Sequence, residues 1–183
     1  MTSHYDLFMT MIDIVENQHN WGNLSQQKDW SDYGPRGLSL FRPVPQRNCF
    51  DSGIPLEYCT CQQGEKLKVN SSLATAAASC LLLELHKIVK PIANLCAQYR
   101  LEEISWAKEI WINGKRFVRL SIIVNPGRGR FEALLKQTKS GFFKQNPARC
   151  AFHVNGAIHR QNKYGNTSSC VRLPTQREYC YCI

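Results

Sequence analysis

Nine cysteines in 183 residues constrain this chain more than any other feature. They stand at Cys49, Cys59, Cys61, Cys80, Cys96, Cys150, Cys170, Cys180 and Cys182. Such usage belongs to oxidising compartments, where bridges between segments supplement a core. Metal is the competing use of so many thiols. The close pairs Cys59-Thr60-Cys61 and Cys180-Tyr181-Cys182 leave a single residue between cysteines, whereas structural zinc sites space their ligands by about two to four. Disulfides are therefore the expected use. Because nine is odd, at least one thiol is left free, or joins another chain or a part of the protein outside this one. Residues two apart on a strand share a face, but a bridge between them closes a strained loop, so each close cysteine is expected to reach a different segment. Cys80 and Cys96 do not pair if one straight helix holds both, since their separation rises about 24 Å and a disulfide wants Cα atoms within about 7 Å.

Other features bear on the compartment. Met1-Thr2-Ser3-His4-Tyr5-Asp6 has neither a basic start nor an apolar stretch, so these residues do not read as a signal peptide. The longest apolar run, Leu73 to Leu83, is shorter than the about 20 residues of a membrane span and runs at once into Glu84, His86 and Lys87. No membrane span is expected. Glycosylation sequons at Asn23, Asn70 and Asn166 agree with a lumenal or extracellular setting. The net charge of +9 favours polyanionic partners, yet the basic residues are scattered. Gly127-Arg128-Gly129-Arg130 is the one compact basic loop, which makes Arg128 and Arg130 the candidate contacts for an acidic glycan. A basic stripe interleaved with aromatics is missing, so nucleic acid is not an expected partner.

Residues 5–16 place Phe8, Met11, Ile12 and Val15 on one side of a helix, and that side is expected to dock on something. Residues 17–48 read as irregular loop, rich in Asn, Gln, Asp, Gly and Pro. A helix followed by a long loop buries little, so residues 1–61 read as the trailing end of a larger domain. Residues 62–72 read as a polar linker, and residues 73–183 as a new unit. There, Leu81, Leu85, Ile88, Ile92 and Leu95 form an apolar helix stripe, with Ser71 or Ser72 as N-cap and Pro91 dividing the helix. Asn113-Gly114 between apolar runs predicts a hairpin. Val118, Leu120, Ile122 and Val124 line one face of its second strand, and Pro126-Gly127 turns the chain into a third strand near residues 131–137. Residues 151–183 add a strand or two, tied down by cysteines. The fold class is α+β, a helix packed on an antiparallel meander.

Catalytic signatures are missing. The sequence holds no His-Glu-x-x-His, no Gly-x-Ser-x-Gly and no phosphate loop. The histidines at 4, 19, 86, 153 and 159 pair with no recognisable nucleophile. His153 and His159 would share a face if one strand held both, but surface histidines are the plainer reading. No catalytic residue, metal or cofactor is assigned.

Two stretches carry a resemblance. The first comprises Ser3-His4-Tyr5-Asp6-Leu7-Phe8 onward to Ile14, then Gly37-Leu38-Ser39-Leu40-Phe41-Arg42-Pro43, Arg47-Asn48-Cys49-Phe50-Asp51-Ser52-Gly53 and Tyr58-Cys59-Thr60-Cys61. The second comprises Ile158-His159-Arg160-Gln161-Asn162-Lys163-Tyr164-Gly165, Cys170-Val171 and Tyr179-Cys180-Tyr181-Cys182. Together they resemble the C-terminal part of an animal family, expanded in nematodes, called domain of unknown function two-two-nine, whose members carry a sulfatase or alkaline-phosphatase-like domain. The resemblance implies that His4 to Ile14 is a late helix of that domain, and that the strands with its metal ligands and nucleophile have no counterpart here.

Three functions are therefore expected in turn. The first is a non-catalytic C-terminal portion of a secreted sulfatase-like protein, whether a fragment or a truncated gene product. The second is an extracellular module that binds acidic glycans through its basic hairpin loop. The third is a hydrolase completed by a partner chain that supplies the missing domain.

Overall fold

The computed structural model describes residues 1–16, 37–59, 61, 64–138 and 150–183. It divides the chain into two compact units, Met1–Cys61 and Gln62–Ile183.

In the first unit, helix α1 (His4–Glu16) forms where the apolar periodicity predicts it. The face it buries is the other one. Phe8, Met11 and Val15 are exposed, whereas Asp6, Met9, Thr10 and Asp13 are buried. Two arginines and three backbone amides explain the inversion. Asp6 Oδ1 accepts from Leu38 N at 2.8 Å, Asp6 Oδ2 accepts from Ser3 N at 2.5 Å and pairs with the Arg47 guanidinium. Thr10 Oγ1 accepts from Leu40 N at 2.9 Å, and Arg42 reaches Asp13 at 3.4 Å. Buried carboxylates need such partners, because an unpaired buried charge costs several kcal/mol. The 37–47 segment is thus held to α1 by polar contacts. A disulfide, Cys49–Cys59, closes the next loop. The irregular region expected over 17–48 lies outside the described residues up to 36; from 37 to 48 it contains no helix or strand.

The second unit is α+β. Helix α2 (Ser72–Val89) starts at Ser71, whose Oγ accepts from Ala74 N, as expected of an N-cap. It gives way at Lys90–Ile92 to a short 3₁₀ turn containing Pro91, which lacks the N–H to continue it. The stripe holds at Leu81 and Leu85, both fully buried; Ile88 is half-buried, and Leu95 falls beyond the helix and is exposed. Small residues do the rest: Ala74, Ala77 and Ala78 are fully buried, letting the helix backbone approach the sheet. Ser72–Ile92, 21 residues holding an 18-residue window of mean hydropathy 1.4, is long and apolar enough to cross a membrane by length and composition alone, a point the shorter run Leu73 to Leu83 hides. It packs here as a core helix, its buried face joined with Val118, Leu120, Ile122, Val124 and Phe131 in one cluster.

Strands β1 (Glu65–Leu67), β2 (Arg100–Ile112), β3 (Lys115–Asn125), β4 (Gly129–Gln137) and β5 (Phe152–Val154) follow one another across an antiparallel sheet. Strand β6 (His159–Arg160) also pairs with β4, and helix α3 (Pro174–Arg177) lies in the tail. The hairpin predicted at Asn113-Gly114 is present, with positive φ at both residues (49° and 70°). That combination defines the two-residue turn whose twist matches the flanking strands. The stretch read as a linker, 62–72, needs correction: its residues 65–67 form edge strand β1, which pairs Glu65 with Glu109 and Leu67 with Ala107. Gly64 lets the chain close on β2, since a Cβ there would meet Glu109 O at 2.7 Å.

Disulfides fasten these elements. Cys80 of α2 joins Cys150, Cys96 joins Cys180 and Cys170 joins Cys182. Cys80 and Cys96 thus take separate partners, and neither close pair bridges internally. Cys61 is free and exposed. Between β4 and the tail, the Arg160 guanidinium lies 5.5 Å from the Phe131 ring centroid and 5.0 Å from that of Tyr164. It donates to the carbonyls of Glu178 (3.1 Å) and Cys180 (3.5 Å). This contact seats the C-terminal segment on the sheet.

Candidate functional site

The β2–β3 hairpin fixes one end of the sheet, and its register decides which side chains meet there. Trp111 stands opposite Arg116, Ile112 opposite Lys115, Phe117 opposite Lys136, and Lys136 opposite His153. Directly opposed residues on antiparallel strands hold their Cβ atoms about 5 Å apart. Alternation puts Trp111 and Arg116 on one face of the sheet and Lys115, Lys136 and His153 on the other, and at this end of the sheet a groove of about 520 Å³ is lined from both faces, by Trp111, Lys115, Arg116, Lys136, Thr138 and His153. Trp111 is 58 % exposed, so its indole is open to a ligand. The Arg116 guanidinium sits 4.8 Å from its ring centroid and its Nε lies 2.7 Å from Glu109 Oε1. Arg116 therefore stiffens the indole more than it adds charge. Lys115 and Lys136 contribute positive charge that no ion pair among the described residues offsets, and His153 also lines the groove. The arrangement offers an aromatic platform rimmed by cations, suited to an anionic ligand with a flat apolar face.

The loop expected to bind polyanions lies at the other end of β3. It is the predicted turn, with a cis Asn125–Pro126 bond and positive φ at Gly127 (83°) and Arg128 (49°). Gly127 is required twice over, because a Cβ there would also run into the Tyr181 ring. Arg128 carries its own counter-charges: its guanidinium lies 3.1 Å from Glu102 and 3.7 Å from Glu103. Arg130 is exposed, and its amide donates to Asn162 Oδ1 at 2.8 Å. The loop is thus a braced turn in which Arg128 is paired with two carboxylates and Arg130 is exposed.

His153 and His159 do not share a strand. They pair with Lys136 and Glu132, four residues apart on β4, or about 13 Å, too far to hold one ion. The sulfurs of Cys96, Cys170 and Cys180 lie within 4.8 Å of one another, but all are in disulfides and offer no thiolate. Of the three sequon asparagines, Asn70 and Asn166 are exposed; Asn23 lies outside the described residues. Sequence reading gave no site role to Trp111, Lys115 or Lys136 and read His153 as a surface histidine. The Asn-Gly turn alone implied that Trp111 faces Arg116, but Lys136 and His153 join only through the register of β4 and β5.

No curated protein and no solved structure matches the chain. The model of the family described as "Protein of unknown function (DUF229)" matches residues 1–105, more than half of the sequence and the whole of the α1 unit. By that match, the chain belongs to the DUF229 family.

Proposed function

We propose that this chain is a disulfide-stapled, secreted or lumenal module that binds acidic glycans in the groove at the β2–β3 hairpin. The observation that carries the reading is the grouping of an exposed tryptophan with Lys115, Lys136 and His153 around one concavity. Sugar rings present a flat C–H face to an indole, and their sulfate or carboxylate groups meet the lysines. Four disulfides support the oxidising compartment where such polymers occur. The test is elution from immobilised heparin in a salt gradient. Lys115→Ala/Lys136→Ala should lower affinity roughly five- to thirtyfold, each lost surface contact being worth about 0.5–1 kcal/mol. Arg128→Ala/Arg130→Ala should elute near the wild type. The reverse ranking would return the site to the turn loop.

A second reading concerns the first unit. Leu7, Phe8, Met11 and Val15 leave an apolar helix face exposed (50 % or more each), while the polar face is used internally. Such a face favours a partner surface, and the resemblance to sulfatase and alkaline-phosphatase-like proteins supplies one: the body of such a domain, of which 1–61 would be the C-terminal piece. On this reading the chain by itself hydrolyses neither aryl sulfates nor aryl phosphates when divalent metals are added. Metal-dependent turnover by the purified chain would overturn it.

A further inference from the structure

Four cysteines meet at the C-terminus in two ways, and only one is bonded. The bonds are Cys96–Cys180 and Cys170–Cys182. Across them, Cys170 Sγ lies 3.8 Å from Cys180 Sγ, and Cys96 is bridged to Cys182 as an antiparallel pair. The flanking bonds of that pair, Ala97 N to Tyr181 O (2.8 Å) and Ile183 N to Leu95 O (3.2 Å), make it a non-hydrogen-bonded pair. Opposed Cα atoms in such a pair are about 4.5 Å apart with side chains close, inside the range a disulfide accepts. The backbone thus already accommodates a Cys96–Cys182 bond, and the neighbouring sulfurs of Cys170 and Cys180 complete the crossed pairing.

We propose that these four residues form a thiol–disulfide exchange centre that isomerises between the two pairings when a low-molecular-weight thiol enters. Cys170 and Cys182 are partly exposed, whereas Cys96 and Cys180 are buried, so the external thiolate attacks Cys170 Sγ. A mixed disulfide forms there and Cys182 leaves as a thiolate. The Cys170 amide, 3.1 Å from Cys182 Sγ, stabilises that leaving group. Cys182 then attacks Cys96, its cross-strand neighbour, forming Cys96–Cys182 and releasing the Cys180 thiolate. Cys180 attacks the mixed disulfide on Cys170, forming Cys170–Cys180 and expelling the external thiolate. Two disulfides enter and two leave, and the thiol is regenerated.

The test uses the full chain and reduced glutathione. After incubation near pH 8, free thiols are blocked by alkylation and the protein is digested with trypsin and chymotrypsin. Cleavage after Tyr181 separates Cys180 from Cys182, so mass spectrometry distinguishes the pairings. Cys96–Cys182 and Cys170–Cys180 peptides should appear in equal amounts beside the original ones. In Cys170→Ser, the thiol left on Cys182 should exchange with no added reagent, so that alkylation labels both Cys180 and Cys182. Original linkages alone in the wild type, with label on Cys182 alone in the variant, would overturn the proposal.

Discussion

Replacing Cys80 and Cys150 together by alanine is expected to destabilise the second unit by about 4 kcal/mol, the largest effect of any single crosslink outside the exchange centre. The bridge spans a sequence separation of 70 residues, and the chain-entropy model assigns a loop of that length about 4.4 kcal/mol. Within that loop lie β2, β3 and β4, so its closure restricts most of the sheet in the unfolded state. Cys80 is buried against the core on α2, and alanine leaves no hydroxyl there to desolvate. For a unit of this size the loss corresponds to a fall in Tm of about 15 °C, read by near-ultraviolet circular dichroism. A Tm within about 3 °C of the wild type would mean that the α2–sheet core holds the unit without the crosslink.

The same crosslink shows how far sequence reasoning extends. Cysteine count and spacing pointed to disulfides, an unpaired ninth thiol and separate partners for Cys80 and Cys96. Which residue meets Cys80 depends on where α2 crosses β5, and that is a property of packing. Local signals were the most legible: Ser71 as cap, Pro91 as stop and Asn113-Gly114 as turn each act through neighbours in sequence. Strand β2 was read only over its last three residues. Register shifts at Leu101/Glu103 and Ile104/Trp106 break its alternation, as bulges do. Edge strand β1, only three residues of Glu-Lys-Leu, carries no apolar pattern.

The groove was illegible for a related reason. Its lining comes from four strand ends and from both faces of the sheet, Trp111 and Arg116 on one and Lys136 and His153 on the other, so no single face pattern in the sequence marks it. The basic loop is legible in the sequence because its charges are adjacent along the chain. Its acidic partners, Glu102 and Glu103, lie on the neighbouring strand and were not seen with it. Charge that is contiguous along the chain is thus braced here, and charge dispersed along it is gathered at the surface. For α1 the helix itself was legible and the buried face was not, because apolar periodicity carries no information about two arginines more than 25 residues away.

Those arginines lead to the second large effect, an acid-dependent loosening of α1. Burial by itself would raise the Asp6 pKa. The hydrogen bonds from Arg47, Leu38 N and Ser3 N, with the Arg47 charge, outweigh it and hold the carboxyl at about 2, below its ordinary 3.8. A carboxyl whose folded pKa is depressed binds its proton more readily in the unfolded chain. Its contribution is therefore complete above about pH 4 and is lost as the pH falls toward 2. At 1.36 kcal/mol per pKa unit the contribution is about 2 kcal/mol. Hydrogen exchange of the α1 amides, corrected for intrinsic rates and followed from pH 5 to pH 2, should show protection falling by roughly thirtyfold. Asp6→Asn should show weaker protection at pH 5 and little further loss on acidification, since it has no proton to gain there. Equal acid sensitivity in the wild type and in Asp6→Asn would assign the loosening to other carboxylates and deny Asp6 its role as the internal anchor of the helix.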